Sequence, residues 1–553
     1  MKIVNLTFSV LLPGVFSLYS DNPPVQLLQP AGSRHPQIYF CGVPMQPAPT
    51  STSQANLSSI PGNSTVAISY NSSITDNSPV TKNYNSPARD YSTPAPDTNS
   101  KAQALKDIQS HYDDYKKIAL QIWDYAEVGY KEVKSSALLQ KTLVANGFTV
   151  KAPVADIPTA FVAEYGSGSP VIGILAEFDA LPGLAQQAVP EKSPIEGKNA
   201  GHGCGHHLFG TASVAAGIEI KKLMEEKKLS GTIRVYGCPA EEGGSGKVYM
   251  VRAGLFSDVD IVIHWHPGAD NGVTLTSALA NKSAKFRFHG LAAHAAASPD
   301  KGRSALDGVE AMDNMVNMMR EHIPQETRIH YVITNGGKAP NVVPDFAEVY
   351  YYVRHPKKEE VVRIFDWVVK AANGAAMGTE TTVDYEVIGG THDLLLNRTL
   401  ADDMQNNLER VGGVLYTPAE TEFAKKLQTS FTYKVPAIGS AAMVQPLKEE
   451  NDAGGGSTDV GDVSYAVPTV GLRAATWVPG TPAHSWQATA CGGTEIGTKG
   501  MMVAAKTMAL TAIDLYTDPS LIKKAKEEFA KNKGDYQYKA LLGDRKPALN
   551  YRD

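Results

Sequence analysis

The segment Gly201-His202-Gly203-Cys204-Gly205-His206-His207 sets a thiol and an imidazole two residues apart, between glycines and ahead of an apolar, small-residue helix pattern. In extended backbone, positions i and i+2 point the same way, so Cys204 and His206 can face one ion. The same residues also suit a glycine-rich turn with incidental imidazoles, or a Cys/His nucleophile pair. A second cluster, Cys238-Pro239-Ala240-Glu241-Glu242-Gly243-Gly244, follows the apolar run through Ile233 and Val235. Adjacent carboxylates at the end of a buried strand are costly unless each has work. One can hold a metal while its neighbour takes a proton from water; the ordinary alternative is a solvated acidic turn.

The third cluster is Ile261-Val262-Ile263-His264-Trp265-His266-Pro267, and the fourth is Pro479-Gly480-Thr481-Pro482-Ala483-His484. Alone, either reads as a core or surface histidine. All four clusters follow strand patterns, and open α/β sheets gather their ligands at the carboxyl ends of strands. Thiolate, imidazole and carboxylate together make a divalent transition-metal site. Cys204, His206, Glu242, His264 and His484 exceed what one tetrahedral zinc needs, which implies two divalent ions. Thiolate favours zinc, and the other donors leave manganese open. Asp179, at the end of the run from Val171, either orients a ligating histidine through its free N–H or caps a turn.

These clusters need a scaffold. Apolar runs at Val171 to Ala176, Ile233 to Tyr236, Ile261 to Ile263 and Val470 to Thr476 alternate with helical patterns, which predicts an α/β domain with a mostly parallel sheet. Between them, Lys285 to His289, Ser304 to Ile323, His330 to Ile333, Glu348 to Val353, Glu359 to Ala372 and Thr381 to Val387 spell β-α-β-β-α-β, the ferredoxin-like order. The expected division is a tail over 1–100, a catalytic domain over 101–284 and 391–517, an inserted domain over 285–390, and a C-terminal tail over 518–553. Leu105, Ile108, Tyr112, Tyr115, Ala119 and Ile122 describe an amphipathic helix after Lys101, and a second helix ends near Gly147. Met312, Met315 and Met319 read as core or interface spacing on the inserted domain's first helix.

The formal net charge of −5, without a dense Lys/Arg block, argues against nucleic acid or an anionic membrane surface as partner. A hydrophobic fraction of 42% with 20% charged residues reads as globular, and no run reaches the length of a membrane span. Residues 22–100 are rich in Ser, Thr, Asn and Pro and read as a linker. Met1 to Ser20 carries an apolar run broken by Pro13, without a clean cleavage site, and reads equally as an export signal or as an apolar end. Localisation is thus exported or cytoplasmic. Four scattered cysteines make no disulfide framework.

Together the clusters resemble the metallopeptidase family of aminoacylases, glutamate carboxypeptidases and amidohydrolases. The similarity runs from about Gln109 to Thr517 and adds Ala293-His294-Ala295-Ala296, Gly302-Arg303-Ser304-Ala305-Leu306-Asp307, Pro340-Asn341-Val342-Val343-Pro344-Asp345 and Gly456-Ser457-Thr458-Asp459 to these clusters. The resemblance implies a two-metal catalytic domain interrupted by a ferredoxin-like lid that also dimerises. It makes Cys204, His206, Glu242, His264 and His484 the metal ligands and Glu241 the general base. His294 matches a lid histidine that reaches a neighbouring active site and steadies the oxyanion; Asn341 and Arg354 match residues that hold substrate. The implied reaction is hydrolysis of a small carboxylate-bearing amide: an N-acyl amino acid, an aminobenzoyl-glutamate-like conjugate or a dipeptide. The implied assembly is a homodimer or a heteromer with a related subunit. The sequence departs from the family at His207, where many relatives have Asp or Asn, and in the long segment before Lys101. A non-metal cysteine amidase would leave Glu241, Glu242, His264 and His484 without purpose, and an accessory, silent subunit would not need every ligand and the base.

Overall fold

A computed structural model describes residues 98–448 and 456–553. The export signal expected at Met1 to Ser20 and nearly all of the expected tail lie outside the described residues. The helical pattern after Lys101 is divided at His111 into helices Thr98–Ser110 and Tyr112–Tyr125, with Ala104, Ile108, Tyr115, Ala119 and Ile122 buried. The helix Val133–Ala145 ends just before Gly147, whose φ of +85° reverses the chain.

The domain into which the lid is inserted is built on a seven-stranded sheet. Its centre is four parallel strands in the order Gly231–Cys238, Val171–Glu177, Ile261–Gly268, Thr469–Ala475. Every residue of Val171–Glu177 is buried, so its apolar run is continuous rather than alternating, as expected of a strand covered on both faces. Antiparallel strands complete both edges. Helices His206–Lys227 and Glu495–Thr517 pack on the sheet and against each other.

The inserted lid begins at Ala280, ahead of the expected 285. Its order is strand Ala280–His289, helix Ala305–Met319, strands Arg328–Asn335 and Phe346–His355, helix Lys358–Gly378, and strand Thr382–Thr391. The four strands form one antiparallel sheet, with Ala280–His289 between Phe346–His355 and Thr382–Thr391. The lid has a hydrophobic core of its own around Phe286, Phe288, Val309, Tyr351 and Phe365. Met312 and Met319 belong to it, while Met315 is 39% exposed on the helix surface. Ser304 caps the first lid helix by accepting from the Asp307 N–H. Among the described residues no helix is long and apolar enough to cross a membrane.

Candidate active site

Parallel pairing brings the chemistry-bearing strand ends to one edge of the sheet. Glu177 pairs with Cys238, so Asp179 and the Glu241-Glu242 pair emerge side by side. The backbone is forced on either side of the carboxylates, where Ala240 and Ser245 have φ of +56° and +59°, and at His484, with +58°. Left-handed backbone at residues other than glycine is costly and concentrates where geometry is held for a purpose. His484 is fixed there by its N–H, which donates to the Gly203 carbonyl at 2.9 Å.

Asp179 ties two of these segments together. One oxygen accepts from His206 Nδ1 at 2.8 Å and the other from the Glu242 N–H at 2.9 Å. His206 Nε2 lies 3.1 Å from Glu177 Oε2, yet neither atom has a hydrogen-bond partner. Glu242 Oε1, 3.0 Å from His484 Nε2, is likewise without one. His266 donates from Nδ1 to the Pro267 carbonyl at 2.8 Å, which leaves the Nε2 lone pair facing Cys204 Sγ at 3.4 Å.

Two sets of donor atoms therefore converge, Cys204 with His206 and His266, and Cys204 with Glu242 and His484. Cys204 is common to both. A third set joins Glu177, His206 and Glu241. Thiol, imidazole and carboxylate donors sharing a central sulfur, with buried polar atoms that lack partners, fit a pair of divalent ions.

Electrostatics point the same way. Burial pushes the Cys204 thiol up, and it pushes Glu241 well up together with the charges of Glu177, Glu242 and Asp459. Burial alone would lower His206, but Cys204, Glu177 and Asp179 outweigh it and hold His206 well above the usual imidazole range. The site has a surplus of negative groups that a cation would relieve.

His264 does not join these sets. It lies one pleat deeper on the same strand, opposite Gly471, and its ring fills the space of the missing side chain: a Cβ at 471 would stand 2.2 Å from Nε2. Burial holds it at about 3, as a neutral core histidine. His266, two residues on, occupies the position expected of His264.

A buried charge triad has no counterpart among the sequence expectations. Lys247 Nζ lies 2.6 Å from Glu177 and 2.7 Å from Asp459, with all three side chains at most 1% exposed. A lysine early in a helix reads as surface, and only the strand-terminal position of Glu177 signalled it. His207 points away from the site and donates to the Gly492 carbonyl.

Cys204, Glu241, Glu242, His266 and His484 line a cavity of about 640 Å³, closed on the lid side by Tyr352 and Arg354. Arg354 lies over the Tyr352 ring and donates to Ser457 Oγ at 3.3 Å, while its Nε is buried without a partner. His294 and Asn341 are exposed and do not line this cavity. They share one lid loop pairing, in which the Asn341 carbonyl accepts from Ala295, and His294 Nδ1 accepts from Ala296 and Ala297.

A mostly parallel sheet with a convergent donor set at its strand ends, covered by a ferredoxin-like lid, defines a two-domain metallohydrolase architecture. The family described as peptidase dimerisation domain matches residues 280–380. The chain is 43% identical to one of the subunits of the p-aminobenzoyl-glutamate hydrolase of Escherichia coli, over 76% of this chain and 93% of that protein. It is 29% identical to the Xaa-Arg dipeptidase of Mus musculus, over 74% and 87%. A Bacillus subtilis structure described as a dinuclear metal-binding peptidase of the M20 family superposes with a TM-score of 0.51 at 16% identity, covering 74% of this chain and 99% of its own. The chain belongs to the M20 family of metal-dependent peptidases and amidohydrolases, and is an enzyme of that class.

Proposed function

We propose that this enzyme hydrolyses the amide bond of an N-acyl amino acid, an aminobenzoyl-glutamate-like conjugate or a dipeptide. Two divalent ions, Zn or Mn, would be held by Cys204, His206, His266, Glu242 and His484. The observation that carries this reading is the sharing of Cys204 between two convergent donor sets, with Glu241 on the same cavity wall. Bound metal ions supply polarisation of the amide carbonyl and lower the pKa of water.

The protein's own residues do the rest. Glu241 takes a proton from the attacking water and passes it to the leaving amine nitrogen, a role suited to a carboxyl held above its ordinary range. Asp179 holds His206 in one tautomer and Glu242 in place. Arg354 grips the substrate carboxylate with its planar fork. His294 and Asn341, exposed on the lid, serve the cavity of a neighbouring subunit, where His294 steadies the oxyanion. That neighbour is a second copy or a related chain; the Escherichia coli hydrolase is named as having two different subunits, both similar to this chain.

The test is exhaustive chelation followed by reconstitution, assayed on N-acyl amino acids, aminobenzoyl-glutamate and dipeptides. Chelation should abolish hydrolysis, and Zn or Mn should restore it. Full activity in metal-free protein would sink the reading.

A further inference from the structure

The last stretch of the chain, from Gly534 to Asp553, has no regular structure, yet it is fastened to both walls of the cavity. Leu541 and Leu542 are buried, and Leu541 passes so close to the lid strand Thr382–Thr391 that a Cβ at Gly390 would stand 2.9 Å from its own. Arg545 donates to the carbonyls of Val387 and Ile388, and Arg252 donates to those of Gly543 and Arg545. On the catalytic side, Tyr551 packs edge-on to Tyr130 at 5.5 Å and donates to the Glu242 carbonyl at 3.0 Å. Gly129 makes room for it, since a Cβ there would lie 2.1 Å from the Tyr551 hydroxyl. This path brings Arg552 to the cavity wall, where one terminal N–H donates to the Glu242 carbonyl.

Arg354 and Arg552 thus line one cavity from opposite segments. Among the described residues neither guanidinium has a carboxylate within ion-pair distance, and each has its Nε buried without a hydrogen-bond partner. Of the cavity's acids, Glu242 faces His484 and Asp459 is neutralised by Lys247, while Glu241 forms no ion pair with either arginine among the described residues. One carboxylate occupies one guanidinium fork in bidentate fashion. A second fork without a counter-charge, in a cavity roomy enough for an acylated amino acid, calls for a second anionic group.

We infer that Arg552 is a substrate-positioning residue that takes this second anion, so that the site selects amides of acidic amino acids, whose side chain carries the extra carboxylate. The inference rests on the proposed function, in which Arg354 holds the first carboxylate.

The test uses the full-length, Zn- or Mn-loaded protein carrying Glu241→Gln to stop turnover. Calorimetry compares N-benzoyl-glutamate with N-benzoyl-glutamine, which differ only in the second charge. The glutamate conjugate should bind about tenfold tighter, the scale of one charge-assisted fork. Adding Arg552→Gln should reduce that ratio to less than about twofold with metal content unchanged, and Arg552→Lys should leave it intermediate, because charge returns without the fork. Three results overturn the inference: no glutamate preference in the parent, an unchanged preference in Arg552→Gln, or metal loss with equal weakening of both ligands, which would make Arg552 a support for Glu242 alone. Turnover of the two conjugates by the wild-type enzyme separates the readings. An Arg552-dependent preference without hydrolysis breaks the amidohydrolase reading and leaves this one. Hydrolysis without the preference does the reverse.

Discussion

The two walls of the cavity are held by different means. On the catalytic side the groups fix one another: Asp179 holds His206 and Glu242, and Lys247 holds Glu177 and Asp459, from a strand end and the helix starts beside it. On the lid side Arg354 rests on the Tyr352 ring with one hydrogen bond to Ser457. A wall that aligns reacting atoms has to be over-determined, because small misplacements are costly in rate. A wall that recognises and releases substrate needs charge and shape with freedom to move. Substitutions on the first wall should therefore cost stability, metal or turnover, and those on the second should act on substrate affinity.

The largest expected effect is at Lys247. Lys247→Met would leave Glu177 and Asp459 buried without their cation, and breaking a buried pair by removing one partner costs about 3–5 kcal/mol. Chemical denaturation of the chelated protein near neutral pH measures it. Burial already raises Asp459 to about 6, so the deficit should shrink in acid as Asp459 takes up a proton. A loss below about 1 kcal/mol would show that the floor is solvated and would break the contrast between the walls.

Next in size is Glu241→Gln, which should keep its metal and lower turnover by roughly 10²-fold or more, as expected for a lost general base. Metal analysis beside steady-state kinetics tests this. Metal loss would exchange the roles of Glu241 and Glu242.

The two histidines of Ile261–Gly268 offer a sharper internal control. His266→Ala should weaken metal binding by roughly 10-fold or more, on the scale of losing a metal-site group, whereas His264→Ala should keep its metal and lower thermal stability through the cavity left against Gly471. The reverse pattern in metal titrations would return the ligand role to His264.

This pair also shows where a sequence stops being legible. Both histidines sit on one strand face, two residues apart, and which one reaches the site depends on depth relative to the strand end, a tertiary quantity set by Gly471 on the neighbouring strand. Cys204 and His206 were legible from their residue types and flanking glycines, but not for the reason of extended backbone: Cys204 sits in a turn and His206 opens the helix His206–Lys227, with left-handed Gly205 between them. The lid's β-α-β-β-α-β order was legible because each element carries its own period. Lys247 was not, since a helical lysine reads as solvated until its burial is known, and neither was Arg552, which arrives on a segment without periodicity.

The smallest expected effect tests the lid wall. Arg354 lies near the end of the strand Phe346–His355, in a stretch of alternating burial, with its guanidinium at the cavity and no carboxylate of the protein in ion-pair reach among the described residues. A salt bridge within the lid, the ordinary role for such an arginine, is therefore not what holds it. Lysine would keep the charge but lose the planar fork and the stacking on Tyr352. Arg354→Lys should raise KM for substrates with a free α-carboxylate by roughly tenfold, on the order of 1.4 kcal/mol, with turnover and metal content little changed. For the corresponding α-amide, already weakly bound, the change should be slight. A drop in turnover at constant KM would place Arg354 with the aligning groups and erase the distinction between the walls. Equal losses for acid and amide would remove the carboxylate grip, and with it the reason for expecting a carboxylate-bearing substrate.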